Sequence, residues 1–270
     1  MTELAALLKK FDALWPLVDA EDWDAPGLVA GSLRQEIRKI LLSVDVTSEI
    51  VDYAIGEGFD LILAHHPFIM RGVKTLAEDT AKGATLARAI RANLAIYAAH
   101  TNADIVADGV SDVLAKALGV QQPRPLTNQE ASAGSGRIGN LSEVTTLGEF
   151  ATKVARTLPR TATGVRVSGD FNAVIETVAV CGGAGDSFLL QASAAGADVY
   201  LTADLRHHVV QDAREQALLS GGPAIIDVSH WASEFLWLDV AAQQLRRIYP
   251  GIAFEVCDLR SDPWDFVVTQ

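Results

Sequence analysis

All six histidines of this 270-residue chain fall in four short stretches: His65-His66, His100, His207-His208 and His230. Asp104, Asp204 and Glu234 lie in or beside them. Histidine with carboxylate, and without thiolate, is a donor set suited to zinc, iron or manganese rather than to a structural zinc cluster. His100 with Asp104, and His230 with Glu234, are spaced i, i+4. If each pair opens a helix, both members share one face and can reach one centre. A single histidine near a carboxylate at a helix start is more often a cap or an ion pair. Confinement of every histidine to strand-end or adjacent segments favours metal chemistry over that reading.

Other chemistries fit less well. A Ser-His-Asp triad lacks a Gly-x-Ser-x-Gly elbow. Cys181 has only a glycine turn to recommend it as a nucleophile. Two cysteines, Cys181 and Cys257, are too few for a disulfide framework or a thiolate zinc site and read as buried thiols. Cys181-Gly-Gly-Ala-Gly-Asp186 reads as a strand-to-helix turn whose backbone amides could approach a phosphate. It lacks the Lys-Ser/Thr ending of a Walker A loop.

The elements that must position these residues alternate between strands and helices, which gives α/β architecture. Leu61 to Ala64 is an apolar run that ends at His65-His66-Pro67, so it reads as a covered strand opening into a loop. Leu94 to Ala98 is another such strand and runs into His100. Further strands are expected at Ile40–Val44, 164–167, 174–180, 197–201, 224–226, 254–256 and 266–268. Helices are expected near 3–18, 47–56, 81–92, 110–118, 147–158 and 232–249, with another that holds His207 and His208. The segments 21–28 and 121–139 carry turn residues and little periodicity, and 121–139 reads as a connection.

Two stretches recur. Gly58-Phe-Asp60 leads into a strand that ends at His65-His66, and Gly196-Ala-Asp198 leads into one that ends at Asp204. The 93–104 stretch, with His100 and Asp104, is echoed by 223–234, with His230 and Glu234. We read this as a duplication, with strand ends of both halves facing one cleft.

The bulk composition bounds the function. A formal charge of −12 argues against a nucleic-acid surface, though not against a single nucleotide held beside a metal. Hydrophobic residues make up 49% of the chain, enough for a sizeable core. No run approaches the ~18–20 apolar residues of a membrane span, and the amphipathic N-terminal helix is no signal peptide, so a cytoplasmic protein is expected.

Taken together these residues resemble the GTP cyclohydrolase I type 2-like family, the NIF-three-like proteins, over the full length. The matching positions are Trp23-Asp24 with Gly27-Leu28, Ser43-Val-Asp45 with Thr47, His65-His66-Pro67, and His100-Thr-Asn102 with Asp104. The match continues through Gly136-Arg137 with Gly139, Cys181 to Gly185, Asp204 with His208, and His230 with Ser233-Glu234.

The resemblance implies a duplicated α/β fold, two intertwined repeats with mixed sheets and a dinuclear metal site between them. The repeats would span 1–125 and 126–270. It implies His65, His66, Asp104, His230 and Glu234 as ligands of two divalent cations, with Glu234 bridging. His100 and His208 would lie at the rim and move protons. It further implies metal-assisted hydrolysis of a nucleotide or related heterocycle, and a homohexameric ring. A non-catalytic metal-binding protein that organises such a ring is the alternative. The chain departs from the family pattern at Ala25-Pro26, Ala203 and Ser229, which bear on the pocket walls rather than on the ligands.

Overall fold

A computed structural model describes residues 2–130 and 132–269. In chain order its elements begin with β1 (Thr2–Glu3), α1 (Leu4–Leu14), β2 (Gly27–Ala30), β3 (Glu36–Ile37) and β4 (Lys39–Ser43). Then come α2 (Ser48–Gly56), β5 (Leu61–Ala64), α3 (Ala81–Arg91), β6 (Ala95–Ala98), α4 (Thr101–Asp104) and α5 (Val110–Ala117). The chain continues through β7 (Val120–Pro125), β8 (Arg137–Thr146), α6 (Leu147–Thr157), β9 (Arg166–Ser168), β10 (Val174–Ala184) and α7 (Leu189–Ala194). It ends with β11 (Val199–Ala203), α8 (His207–Ser220), β12 (Ala224–Val228), α9 (His230–Ile248) and β13 (Ala253–Val256). Among the described residues no helix is long and apolar enough to cross a membrane.

The chain forms two compact units. The first takes the residues up to Ala103 together with Leu238–Ser261, and the second takes Asp104–Trp237 together with the residues from Asp262 on. Helix α9 therefore gives its opening turns to the second unit and the rest to the first.

The first unit is built on a sheet in the order β13-β4-β5-β6-β2. Its first four strands run parallel and β2 closes the edge antiparallel. Leu61 to Ala64 are fully buried, as a parallel strand covered on both faces requires. Ile50, Ala54, Phe59, Ile62, Phe68, Leu86 and Ile96 pack into one core on this sheet. Thr47 starts α2 by accepting the Ile50 amide at 3.2 Å.

The second unit has a mixed sheet in the order β7-β8-β10-β11-β12-β9, with β10, β11 and β12 parallel. Ile138, Ala179, Ala192, Tyr200 and Ile225 are among its core residues. Arg137, buried at the start of β8, pairs with Asp112 and donates to the carbonyls of Ile105, Val106, Gly134 and Gly136.

One local arrangement occurs in both units. Gly58 and Gly196 take φ of +70° and +76° before the two aspartates. Asp60 Oδ2 accepts the amides of Arg38 and Lys39 at 2.7 and 3.0 Å. Asp198 Oδ2 accepts those of Glu176 and Thr177 at 2.9 and 2.8 Å. Each aspartate ties the start of its own strand to the preceding parallel one, which fixes the register in which the strand ends arrive.

Several expectations from the sequence are corrected. The 121–139 stretch is not simply a connection. It holds most of β7, paired with β8, although Pro123 and Pro125 confine β7 to the sheet edge. Gly27 and Leu28, inside a segment expected to be irregular, open β2. Cys181 to Ala184 continue β10 rather than turning. Phe266 to Val268 form no strand and stand exposed.

Candidate metal centre

In the first unit the carboxyl ends of β4, β5 and β6 lie side by side, with Ser43, Ala64 and Ala98 in register. The residues just beyond them are Asp45, His65-His66 and His100, at the strand ends where α/β sheets hold ligands. One ring nitrogen from each of His65, His66 and His100 lies within 4.8 Å of the others, a group that could hold a metal ion. His100 was expected at the rim, and the geometry brings its ring among the candidate donors.

The three rings are held in the same way. His65 Nδ1 donates to the Ala99 carbonyl at 2.9 Å. His66 Nδ1 donates to Asp45 Oδ1 at 2.7 Å, and His100 Nδ1 donates to Asp24 Oδ1 at 2.7 Å. A neutral imidazole that donates from Nδ1 carries its lone pair on Nε2, the nitrogen that meets a metal.

Asp24 is itself fully engaged. It accepts the amides of Ala25 and Thr101 and, at 2.5 Å, the Thr101 hydroxyl. Burial would raise its pKa, but the His100 contact and the Thr101 and Ala25 hydrogen bonds outweigh it and hold it at about 2. Asn102 is structural. Its Oδ1 accepts the His100 amide at 3.0 Å and its Nδ2 donates to the Trp15 carbonyl at 2.7 Å. Asp45 also accepts the Ser261 hydroxyl at 2.5 Å.

In the second unit α9 begins at His230, so His230 and Glu234 do share a helical face, with Nε2 and Oε1 3.0 Å apart. His230 Nδ1 donates to Asp204 Oδ2 at 2.7 Å. Asp204 follows β11 with φ of +58°, a left-handed conformation that is strained for a residue other than glycine. Burial alone would lower the His230 pKa, but the charges and hydrogen bonds of Glu234 and Asp204 push it up to about 11. A bound cation would take the place of that proton.

Ser233 anchors the pair to β10. Its hydroxyl accepts the Gly183 amide at 2.8 Å and donates to the His230 carbonyl at 2.7 Å. Gly182 N–H goes to the Ser111 hydroxyl at 3.2 Å. These glycine amides are therefore committed to side chains rather than offered to a phosphate. Gly183, at φ +69°, leaves an opening in front of both donors. A Cβ there would overlap Glu234 Oε1 and come within 3.1 Å of His230 Nε2. Ser229, the departure before His230, caps α9 by accepting the Ala232 amide, and it donates to buried Asp262 at 2.5 Å.

Asp104 closes α4 and belongs to the second unit. Burial, then the charges of Asp104 and Glu234, push the Cys181 thiol up to about 12, so both carboxylates act on the same buried region. That thiol is inert rather than nucleophilic. His208 is exposed in the first turn of α8, its ring 5.2 Å from that of His207. Among the described residues neither joins a group able to hold an ion.

The donors of each unit, the three histidines of the first and His230 with Glu234 in the second, suit a divalent cation. Four histidines have Nδ1 fixed by an oxygen, and a glycine is required where any side chain would fill the gap. Asp24 and Asp45, which orient His100 and His66, have no sequence spacing that marks them, because they come from loops 76 and 21 residues away.

A mixed α/β chain that presents histidines and carboxylates from the ends of parallel strands is a candidate metal-binding protein. A family model described as Duf34/NIF3 (NGG1p interacting factor 3) matches residues 2–263, and the chain belongs to that family. A Streptomyces coelicolor protein named GTP cyclohydrolase 1 type 2 homolog is 43% identical over 98% of this chain and 94% of its own length. A Clostridium perfringens protein of the same name is 31% identical over 98% of this chain and all of its own length (100%). The fold matches a crystal structure of a Bacillus cereus protein related to NIF3, with TM-score 0.89 and 26% identity over 98% and 99% of the two chains. A Staphylococcus aureus hypothetical protein matches with TM-score 0.90 and 27% identity over the same shares, 98% and 99%.

Proposed function

We propose that this protein is a metal-dependent hydrolase acting on a nucleotide or a related heterocycle, with two divalent cations bound per chain. The observation that carries the reading is the repeated Nδ1 anchoring of His65, His66 and His230, two of them by carboxylates. A metal site needs its ligands held in that way, and a set of surface histidines does not. His65, His66, Asp104, His230 and Glu234 would hold the cations. When bound, such ions supply Lewis-acid stabilisation and water activation at neutral pH. Zinc, iron and manganese all suit these donors.

The chain's own residues do the rest. Asp24, locked by Thr101 and Ala25, fixes the His100 ring, so that His100 can take up and return a proton at Nε2. His208 is assigned a second proton-transfer role on the family pattern alone. The recurring Gly-x-Asp device at Asp60 and Asp198, and the two strand-His-carboxylate segments, support two interleaved repeats that together supply one dinuclear centre. The relatives' name points to purine nucleotides, where hydrolysis opens the imidazole ring and releases formate. A ring-shaped homohexamer in the cytoplasm completes the proposal.

Metal-loaded protein is incubated with GTP and other nucleotides, and ring opening is followed by absorbance together with formate release. Turnover that disappears in His100→Ala supports the reading. If no nucleotide is consumed while metal content stays stoichiometric, catalysis is refuted and a metal-organised interaction protein takes its place.

A further inference from the structure

The segment that leaves His66 has the build of a flap. Pro67 and Phe68 are buried, and the Phe68 carbonyl accepts the Lys82 ammonium, which also stands 5.0 Å from the Phe68 ring centroid. At the far end Glu78 makes two contacts with Arg91 of α3, at 2.5 and 2.6 Å. There Thr80 caps α3, and the Ala77 carbonyl sits where a Cβ on Gly83 would lie. Both feet of the segment are thus fixed to α3. Between them, residues 69–76 make no backbone-to-backbone hydrogen bond with the described residues, and every residue from Arg71 to Leu76 is exposed.

The tip combines charge with exposure. It carries two cations, Arg71 and Lys74, on either side of Gly72-Val73, and Gly72 has open space around it. Among the described residues neither cation makes an ion pair, in a chain whose formal charge is −12. Val73 and Leu76 are 43% and 47% exposed, apolar surface that closure would cover. Arg71 follows His66 by five residues, so its Cα lies at most ~18 Å from that of His66, within reach of a substrate bound at the ring cluster. Unpaired cations on a segment pinned at both ends can meet an anion without first breaking other contacts.

We infer that residues 69–76 close over the metal-binding histidines and that Arg71 and Lys74 bind the phosphate groups of the substrate. The inference rests on the functional reading above and adds to it the residues that select a phosphorylated ligand over the bare nucleoside.

The test uses metal-loaded full-length protein with inorganic triphosphate, GTP and guanosine as probes. Metal content is measured on the same samples, to show that triphosphate has not stripped the ions. Trypsin should cut first after Arg71 or Lys74, and triphosphate at ten times its Kd should slow that cut about tenfold. Arg71→Gln and Lys74→Gln should each weaken triphosphate and GTP binding about tenfold, with guanosine binding and metal content unchanged. Equal loss of triphosphate and guanosine binding would mean a distorted site and overturn the assignment. So would a double variant that binds triphosphate like the wild type, or a metal-loaded wild type that does not bind it. Wild-type protein that carries no metal would refute the hydrolase reading instead. Triphosphate binding lost in the double variant would still uphold the anion site.

Discussion

Gly183→Ala isolates what the opening in front of His230 and Glu234 is for. The substitution has two separable costs. An alanine at φ +69° adopts the left-handed region, which costs about 1–2 kcal/mol. Its methyl also overlaps Glu234 Oε1 and comes within 3.1 Å of His230 Nε2, and the same residue is tied through its amide to Ser233 on α9. Gly196→Ala is the matched control. It has φ +76°, the same backbone penalty, but nothing within 4 Å of the added methyl. For a chain of this size about 2–4 °C of Tm accompanies each kcal/mol, so the control should melt roughly 2–8 °C lower than wild type. It should keep its full complement of metal and its stabilisation by added metal. Gly183→Ala should melt lower still, should hold less than half the wild-type metal, and should give the same Tm with metal as with chelator. Elemental analysis and thermal melts with and without chelator read both effects. Wild-type metal content and metal-dependent stabilisation in Gly183→Ala would refute the claim that this gap is the seat of a cation.

Two further outcomes follow from the carboxylates behind the histidines. Asp45→Asn keeps the shape beside His66 but removes the charge, and should weaken metal binding about 10–100-fold by competition titration. Unchanged affinity would reduce Asp45 to a loop anchor. Asp24, held at about 2, titrates lower in the fold than an unfolded aspartate near 3.9, so its contribution is present above about pH 4 and fades as pH falls toward 2. With its side chain shielded from solvent, that contribution is worth about 2–3 kcal/mol. Urea unfolding of Asp24→Asn at pH 5, 4 and 3 should therefore show a shallower loss of stability than wild type, and parallel losses would count against it.

Much of this arrangement was legible in the sequence, and the exceptions have physical causes. Leu61 to Ala64 and Leu94 to Ala98 read correctly as buried strands because an apolar run between turn signals has few alternatives. The i, i+4 pairing of His230 and Glu234 became real because α9 starts at His230, one residue after the Ser229 cap. The edge strand β7 was obscured by Pro123 and Pro125, which local propensity reads as loop and which only an edge position tolerates. Phe266 to Val268 had the propensity of a strand but no partner strand, and propensity alone does not form a ladder. The glycines at 182 and 183 read as a turn whose amides could approach a phosphate, whereas those amides go to Ser111 and Ser233, partners 71 and 50 residues distant. Asp24 and Asp45 were visible only as members of a family pattern. A hydrogen bond that orients a ring leaves no periodic trace in the chain.

We propose that these side chains form a centre for two divalent cations. The most direct test is metal stoichiometry by elemental analysis of purified protein, beside His66→Ala and Glu234→Ala at matched protein concentration. Two equivalents per chain are expected in the wild type, with a clear loss in both variants, each still folded by circular dichroism. Metal content unchanged in both variants, or a wild-type protein that binds no divalent cation, would contradict it.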